Sequence, residues 1–196
     1  MSTFQLYNNV LKMLKIRKYN VDKKYNLSNE EFKLKYNKNK EHIILQNKDK
    51  FKIIHFLKQK KIKPSILKDI LANYIKKYGE KIHFIFLFKT KINSNLKKVI
   101  KKFINKNVRI EVFLFEELII DKIKHKWVPK HELITNEEEY IKIKEKYNII
   151  KKYQLPLIFI NDPIAKYYGA IHGQIFKITR MEDNGFNIIY RYVIKK

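Results

Sequence analysis

Seven residues near the middle of the chain, Ile82-His83-Phe84-Ile85-Phe86-Leu87-Phe88, include a single polar side chain. A run of that length is strand-sized, and a strand apolar on both faces must be covered on both. The flanking sequence supplies cover. Upstream, Ile66, Leu67, Ile70, Leu71, Tyr74, Ile75 and Tyr78 recur at helical spacing, with Pro64 before them and Gly79 after as helix punctuation. Downstream, Leu96, Val99, Ile100, Phe103 and Ile104 outline a second helix, and Ile110–Phe115 is another apolar run. Strands alternating with helices predict an α/β layer with crossover connections.

The residues before this layer extend it. Phe4, Tyr7, Val10, Leu11 and Leu14 predict an opening helix. Ser28-Asn29-Glu30-Glu31 has the form of a capping box, in which serine and glutamate each satisfy a free backbone N–H. His42–Leu45 and Phe51–Phe56 read as two short strands joined by a polar turn, and Asn37-Lys38-Asn39-Lys40 is low in complexity. Together these elements form one domain, residues 1–124.

Residues 125–196 change character and read as a second, small α+β domain. Thr135-Asn136-Glu137-Glu138 predicts another capping box, opening a helix through Tyr140, Ile141 and Tyr147 towards Ile150. Pro156 forbids its continuation, and Leu157–Ile160 becomes a short strand. Asp162 and Pro163 fit an N-cap and first helical position, with Ile164–Tyr168 forming little more than one turn. Gly169 supplies a left-handed stop and Gly173 a turn into strand Ile175–Thr179. Asn184-Gly185 is a hairpin signal, and Phe186–Ile194 returns as the last strand. A small mixed sheet with two helices follows.

Composition narrows the function classes. With 45% hydrophobic residues the chain can build real cores, yet no run approaches the ~18 apolar residues of a membrane span. The opening residues lack a secretory signal, and zero cysteines exclude disulfides and zinc–thiolate sites. These features predict a soluble intracellular protein. The net charge of +25 is unevenly spread. Residues 125–196 hold 13 Lys+Arg against 8 Asp+Glu, leaving 31 against 11 for residues 1–124. Abundant Lys, Asn and Ile fit an A/T-rich coding sequence, which raises lysine without functional demand. The contrast between the halves fits a surface that attracts a polyanion. Only Arg17, Arg109, Arg180 and Arg191 are arginine.

One resemblance orders these observations. Val128-Pro129-Lys130-His131, Gln154-Leu155-Pro156, Asp162-Pro163-Ile164-Ala165-Lys166-Tyr167-Tyr168-Gly169, Gly173-Gln174, Lys177-Ile178-Thr179-Arg180 and Tyr190-Arg191 follow one another at nearly the family spacing. This pattern resembles the C-terminal domain of the fifth common subunit of eukaryotic nuclear RNA polymerases, a family whose archaeal members consist of that domain alone. Met13-Leu14, Arg17, Lys18-Tyr19, Val21, Glu30-Glu31-Phe32 and Ile82–Phe88 extend a looser likeness upstream. Leu157 stands where the family carries arginine, Ile171-His172 replaces a basic pair, and the hairpin after Arg180 is about one residue shorter.

The resemblance implies an N-terminal jaw with a nuclease-like α/β layer and a C-terminal assembly domain. It implies a non-catalytic subunit that docks on the largest polymerase subunit, contacts other subunits and lies beside downstream duplex DNA without reading bases. No membrane, small-molecule substrate or cofactor is expected. The location would be the nucleus, or a viral factory or virion for a virus-encoded chain. Interface residues would be Leu155, Pro156, Asp162, Pro163, Tyr167, Tyr168, Gly169, Gly173, Arg180, Tyr190 and Arg191. Arg180 and Arg191 suit bidentate pairing with a carboxylate, either across an interface or within the domain. Lys89, Lys91, Ser94, Lys97 and Lys98 form the candidate DNA-proximal loop and helix start; the plain alternative is a solvated lysine face.

A magnesium nuclease is the sharpest catalytic rival. It needs an acid and a Glu-x-Lys on adjacent strands, and Glu111 is followed by Phe113 where lysine is required. Glu31-Phe32-Lys33 has the letters but falls at a helix start. His125 and His131 are irregularly placed for a metal pair, and neither a glycine-rich phosphate loop nor a G-x-S-x-G setting occurs. The remaining alternative is an independent basic nucleic-acid-binding or nuclease-like protein that keeps the fold.

Overall fold

The central apolar run is a strand inside a four-stranded sheet. In the computed structural model, β1 (His42–Asn47), β2 (Lys50–Leu57), β3 (Ile82–Phe88) and β4 (Arg109–Leu114) lie side by side in that order. The described residues are 3–36, 42–47, 50–59, 61–79, 81–183 and 185–195, so Asn37–Lys40 and Asn184 fall outside them. The chain divides into two compact units, Met1–Ile120 and Asp121–Lys196.

In the first unit β1 and β2 are antiparallel, whereas β2, β3 and β4 are parallel. Parallel neighbours need crossovers, which α3 (Pro64–Tyr78) and α4 (Ser94–Phe103) supply. Their apolar stripes, Leu67 and Leu71 on α3 and Leu96 and Ile100 on α4, pack with Ile53, Phe84, Phe86 and Phe88. Pro64 sits in the first turn of α3, and Gly79 follows its end with φ 81°. The opposite sheet face is met by α1 (Thr3–Ile16), where the Tyr7 and Phe56 rings lie 6.1 Å apart. Buried Asn9 of α1 donates to Leu118 O at 2.9 Å and Ile119 O at 2.7 Å. α2 (Asn29–Tyr36) opens with the expected capping box: Glu31 N donates to Ser28 Oγ and Ser28 N to Glu31 Oε2.

One element here differs from the sequence reading. The apolar run does not continue as strand through Phe115 but turns into α5 (Phe115–Ile119), where Glu117 Oε2 accepts from Leu114 N at 2.6 Å. The acidic side chain caps the turn and ends the strand.

The second unit has a mixed sheet in the order β5 (Lys130–Ile134), β7 (Ile175–Glu182), β8 (Gly185–Ile194), β6 (Leu157–Phe159). β7 is antiparallel to both β5 and β8, and β6 runs parallel to β8. α6 (Glu137–Lys146) covers one face, its Ile143 packing with Ile134, Ile149 and Ile175. On the other face Ala165 of α7 (Pro163–Tyr168) packs with Ile158, Phe176, Ile178 and Val193. Three corrections apply. β5 has no counterpart in the sequence reading. The N-cap of α6 is Asn136, whose side chain accepts from Glu138 N at 3.0 Å, rather than Thr135. The helix also stops at Lys146, short of Tyr147 and Ile150, and Asn148 takes a left-handed φ of 49°. Trp127, the single tryptophan, is 80% exposed.

Candidate functional site

The family-pattern residues of the second unit converge on α7 and the strands beneath it. Asp162 Oδ1 accepts from Ile164 N at 2.8 Å and Ala165 N at 3.3 Å, and Pro163 occupies the first turn. Both residues therefore cap a helix, satisfying donors that the first turn leaves open. Tyr167 is buried, and half-buried Tyr168 meets Phe176 edge-on at 5.6 Å. Gly169 ends the helix with φ 66° and ψ 33°. Gly173 has φ 94° and open space where a side chain would start, so its requirement is conformational rather than steric.

The sheet register sorts the remaining residues onto two faces. Phe176 stands opposite Arg191, Ile178 opposite Ile189 and Arg180 opposite Asn187, and these side chains share the α7 face. His131, opposite Ile178, joins them. It donates from Nδ1 to Pro129 O at 2.7 Å, and burial pushes its pKa down, so it is neutral near pH 7. Arg180 is exposed, whereas Arg191 has a buried Nε without a hydrogen-bond partner. Neither arginine forms an ion pair with a described residue. Tyr190, Leu155 and Pro156 lie on the α6 side instead, where they line a cleft of about 350 Å³ with Tyr147, Ile149 and Ile188. Sequence reasoning named these residues as one group; the pleat divides them between two surfaces. The substituted positions are also on the surface, with Leu157 47% and Ile171 45% exposed. His172 meets the Tyr192 ring at 5.8 Å.

In the first unit the candidate loop joins β3 to α4. Asn93 caps α4 by accepting from Leu96 N at 2.9 Å. Lys89, Lys91, Ser94, Lys97 and Lys98 are all exposed, as are Lys101 and Lys102 farther along α4, whose first turn carries no acid. The arrangement offers solvated positive charge of the kind that suits phosphates.

Sequence reasoning missed a buried charge cluster on the other face of that sheet. Glu111 Oε1 lies 2.9 Å from His83 Nε2 and 2.7 Å from Arg109 Nη2, and Glu111 Oε2 lies 2.8 Å from Arg17 Nη2. The Arg17 and Glu111 side chains are only 2% and 12% exposed. Burial alone would raise the Glu111 pKa, but Arg17, then His83 and Arg109, outweigh it and hold the carboxyl at about 2. Burial pushes His83 down against the pull of Glu111, leaving a neutral imidazole that donates from Nε2. Lys52 Nζ sits 3.3 Å from the centre of the Tyr19 ring, and burial, then Arg17, Lys50 and Arg109, push its pKa down. Glu111 is thus committed to holding cations within the fold. Among the described residues no group of three or more His, Asp or Glu could hold a metal ion.

Comparison with known proteins adds four observations. Residues 120–193 match the family described as RNA polymerase Rpb5, C-terminal domain. A DNA-directed RNA polymerase subunit Rpo5 from Sulfurisphaera tokodaii is 50% identical over 76 residues, covering 38% of this chain and 88% of that protein. A DNA-directed RNA polymerase subunit 5-like protein 1 from Arabidopsis thaliana is 30% identical over 205 aligned residues, covering 97% of this chain and 95% of the relative. A Dictyostelium discoideum subunit of DNA-directed RNA polymerases I, II and III is 40% identical over 90 residues, 45% of each chain.

Proposed function

This chain belongs to the family of DNA-directed RNA polymerase subunit 5, and we propose that it docks on the largest polymerase subunit through its C-terminal unit, with its N-terminal unit a basic jaw beside downstream duplex DNA. It is a non-catalytic polymerase subunit acting in transcription, and the chemistry of nucleotide addition belongs to other subunits. The observation that carries this reading is the alignment along 97% of the chain with a subunit 5 relative. Arg180 and Arg191 support docking, since neither is paired with a carboxylate of the described residues. Eukaryotic relatives among DNA-directed RNA polymerase subunits support a nuclear location.

Affinity capture of tagged full-length protein from its native cell tests the docking. The expected result is recovery of the two largest polymerase subunits at moderate salt; recovery of nucleic acid alone overturns it.

The jaw makes a separate prediction. Full-length protein should bind equal-length DNA duplexes with little regard to sequence. Its log affinity should fall by about 0.9 per phosphate contact per tenfold rise in salt. Lys97→Ala with Lys98→Ala should flatten that slope by roughly 1–2 units. Filter binding across a salt series checks this, and a sharp preference among duplexes would sink it.

A further inference from the structure

β8 is paired unequally along its two edges. On one side it runs against β7 from Gly185, opposite Glu182, to Tyr192, opposite Ile175. On the other it meets β6 only from Tyr192 to Ile194. Val193 uses its main chain on the β7 side, donating to Gln174 O at 2.9 Å and accepting from Gly173 N at 3.0 Å. Main-chain groups of an antiparallel pair alternate in direction, so Phe186, Ile188, Tyr190 and Tyr192 turn theirs to the opposite edge. There the Tyr192 N–H meets Pro156 O at 2.8 Å. The groups of Phe186, Ile188 and Tyr190 have no strand beside them among the described residues.

Open edges are templates for strand addition, and proteins normally blunt them with lysine, proline or a covering element. This one carries apolar side chains instead: Phe186 is 72% exposed, Met181 opposite it 81%, and Ile188 41%. Where β6 stops, the cleft of about 350 Å³ begins, bounded by Leu155 and Pro156 on one side and Ile188–Tyr190 on the other. The chain leaves the line of β6 at that point, folding into a turn at Lys152–Gln154. On the reverse face of β8 stands Arg191, with its unpartnered buried Nε, and on the same face of the neighbouring β7 stands exposed Arg180.

Resting on the docking reading above, we propose that the open edge of β8 accepts an extended segment of another polymerase subunit as an added strand. That segment is apolar towards the cleft and carries a carboxylate towards Arg191. Main-chain hydrogen bonds would supply the attachment and the alternating side chains its selectivity. Charge decides between occupants. A second copy of this chain, itself carrying a net charge of +25, would bring like charge to the edge, and the exposed apolar side chains give a nucleic-acid backbone nothing to bind.

Two full-length variants and one exchange measurement test this. Ile188→Pro removes one outward N–H while leaving the donors that face β7 in place. Phe186→Lys with Ile188→Lys changes side chains that are already exposed and guards the edge with charge. Each variant is expected to retain the large polymerase subunits about tenfold less than wild type in affinity capture. Independently of any variant, the amides of Phe186, Ile188 and Tyr190 in wild type should exchange about a hundredfold more slowly in the captured polymerase than in the free chain. Undiminished retention by both variants, or unchanged exchange at those amides, overturns the edge proposal while docking stands. Wild type that retains no polymerase subunit overturns both. Capture of a second copy alone assigns the edge to self-association and likewise overturns the proposal.

Discussion

Replacing Glu111 with glutamine lowers the stability of the N-terminal unit by about 3–5 kcal/mol, because it strands buried cations without their counter-charge. Arg17 is the residue most affected, its side chain 2% exposed beside the carboxylate. The interaction is worth little beyond its own repair: removing both charges, with Arg17→Met and Glu111→Leu together, should cost less than E111Q alone. Urea unfolding followed by circular dichroism ranks the two variants, and the reverse order refutes the assignment. The cluster also sets an acid limb. A carboxyl held at about 2 in the fold, against 4.5 when unconstrained, contributes stability in full above pH 4.5 and loses it as pH falls towards 2. E111Q should flatten that limb, whereas wild type should lose stability steeply across the same window.

Phe176→Ala should be comparably damaging to the C-terminal unit. Its ring is fully buried between Tyr168, 5.6 Å away, and His131, 5.8 Å away, both edge-on. Around it lie Ile158, Ala165, Ile178 and Val193. Truncating a phenylalanine in such a setting costs about 3–5 kcal/mol in lost transfer energy and residual cavity. A unit of this size has only about 4–11 kcal/mol to lose. Amide exchange in β7 and β8 of the full chain reads the loss directly. Phe176→Leu, which keeps most of the volume, should cost less than about 1.5 kcal/mol. A mild effect from the alanine variant would mean that Phe176 is not the keystone of the α7 face.

What the sequence revealed divides by distance along the chain. The Ser28–Glu31 capping box, Pro64 at the start of α3, the Asp162–Pro163 cap and the left-handed Gly169 all act within four residues, and each was legible. So was β3, because burial on both faces leaves an uninterrupted apolar run. β5 was hidden because Lys130-His131-Glu132 looks like a surface loop; only pairing with β7, more than forty residues later, makes it a strand. The Glu111 cluster was hidden for the same reason, drawing on the end of α1, β3 and β4. One signal was present: two of only four arginines, Arg17 and Arg109, serve one carboxylate. In the candidate site the individual residues were visible, but their division between two sheet faces required the register. The open edge of β8 could not be inferred at all, since it depends on β6 being only three residues long.

The exposure of Trp127 has a practical meaning for optical work on this protein. An indole already 80% in water emits much as it would in an unfolded chain. Its fluorescence will therefore be nearly blind to denaturation, and an unchanged spectrum in urea must not be taken as resistance to unfolding. The same property makes it a clean reporter of burial by another molecule. With one such residue in the chain, a blue shift on mixing would mark coverage at that spot, without labelling and without interference from a second tryptophan.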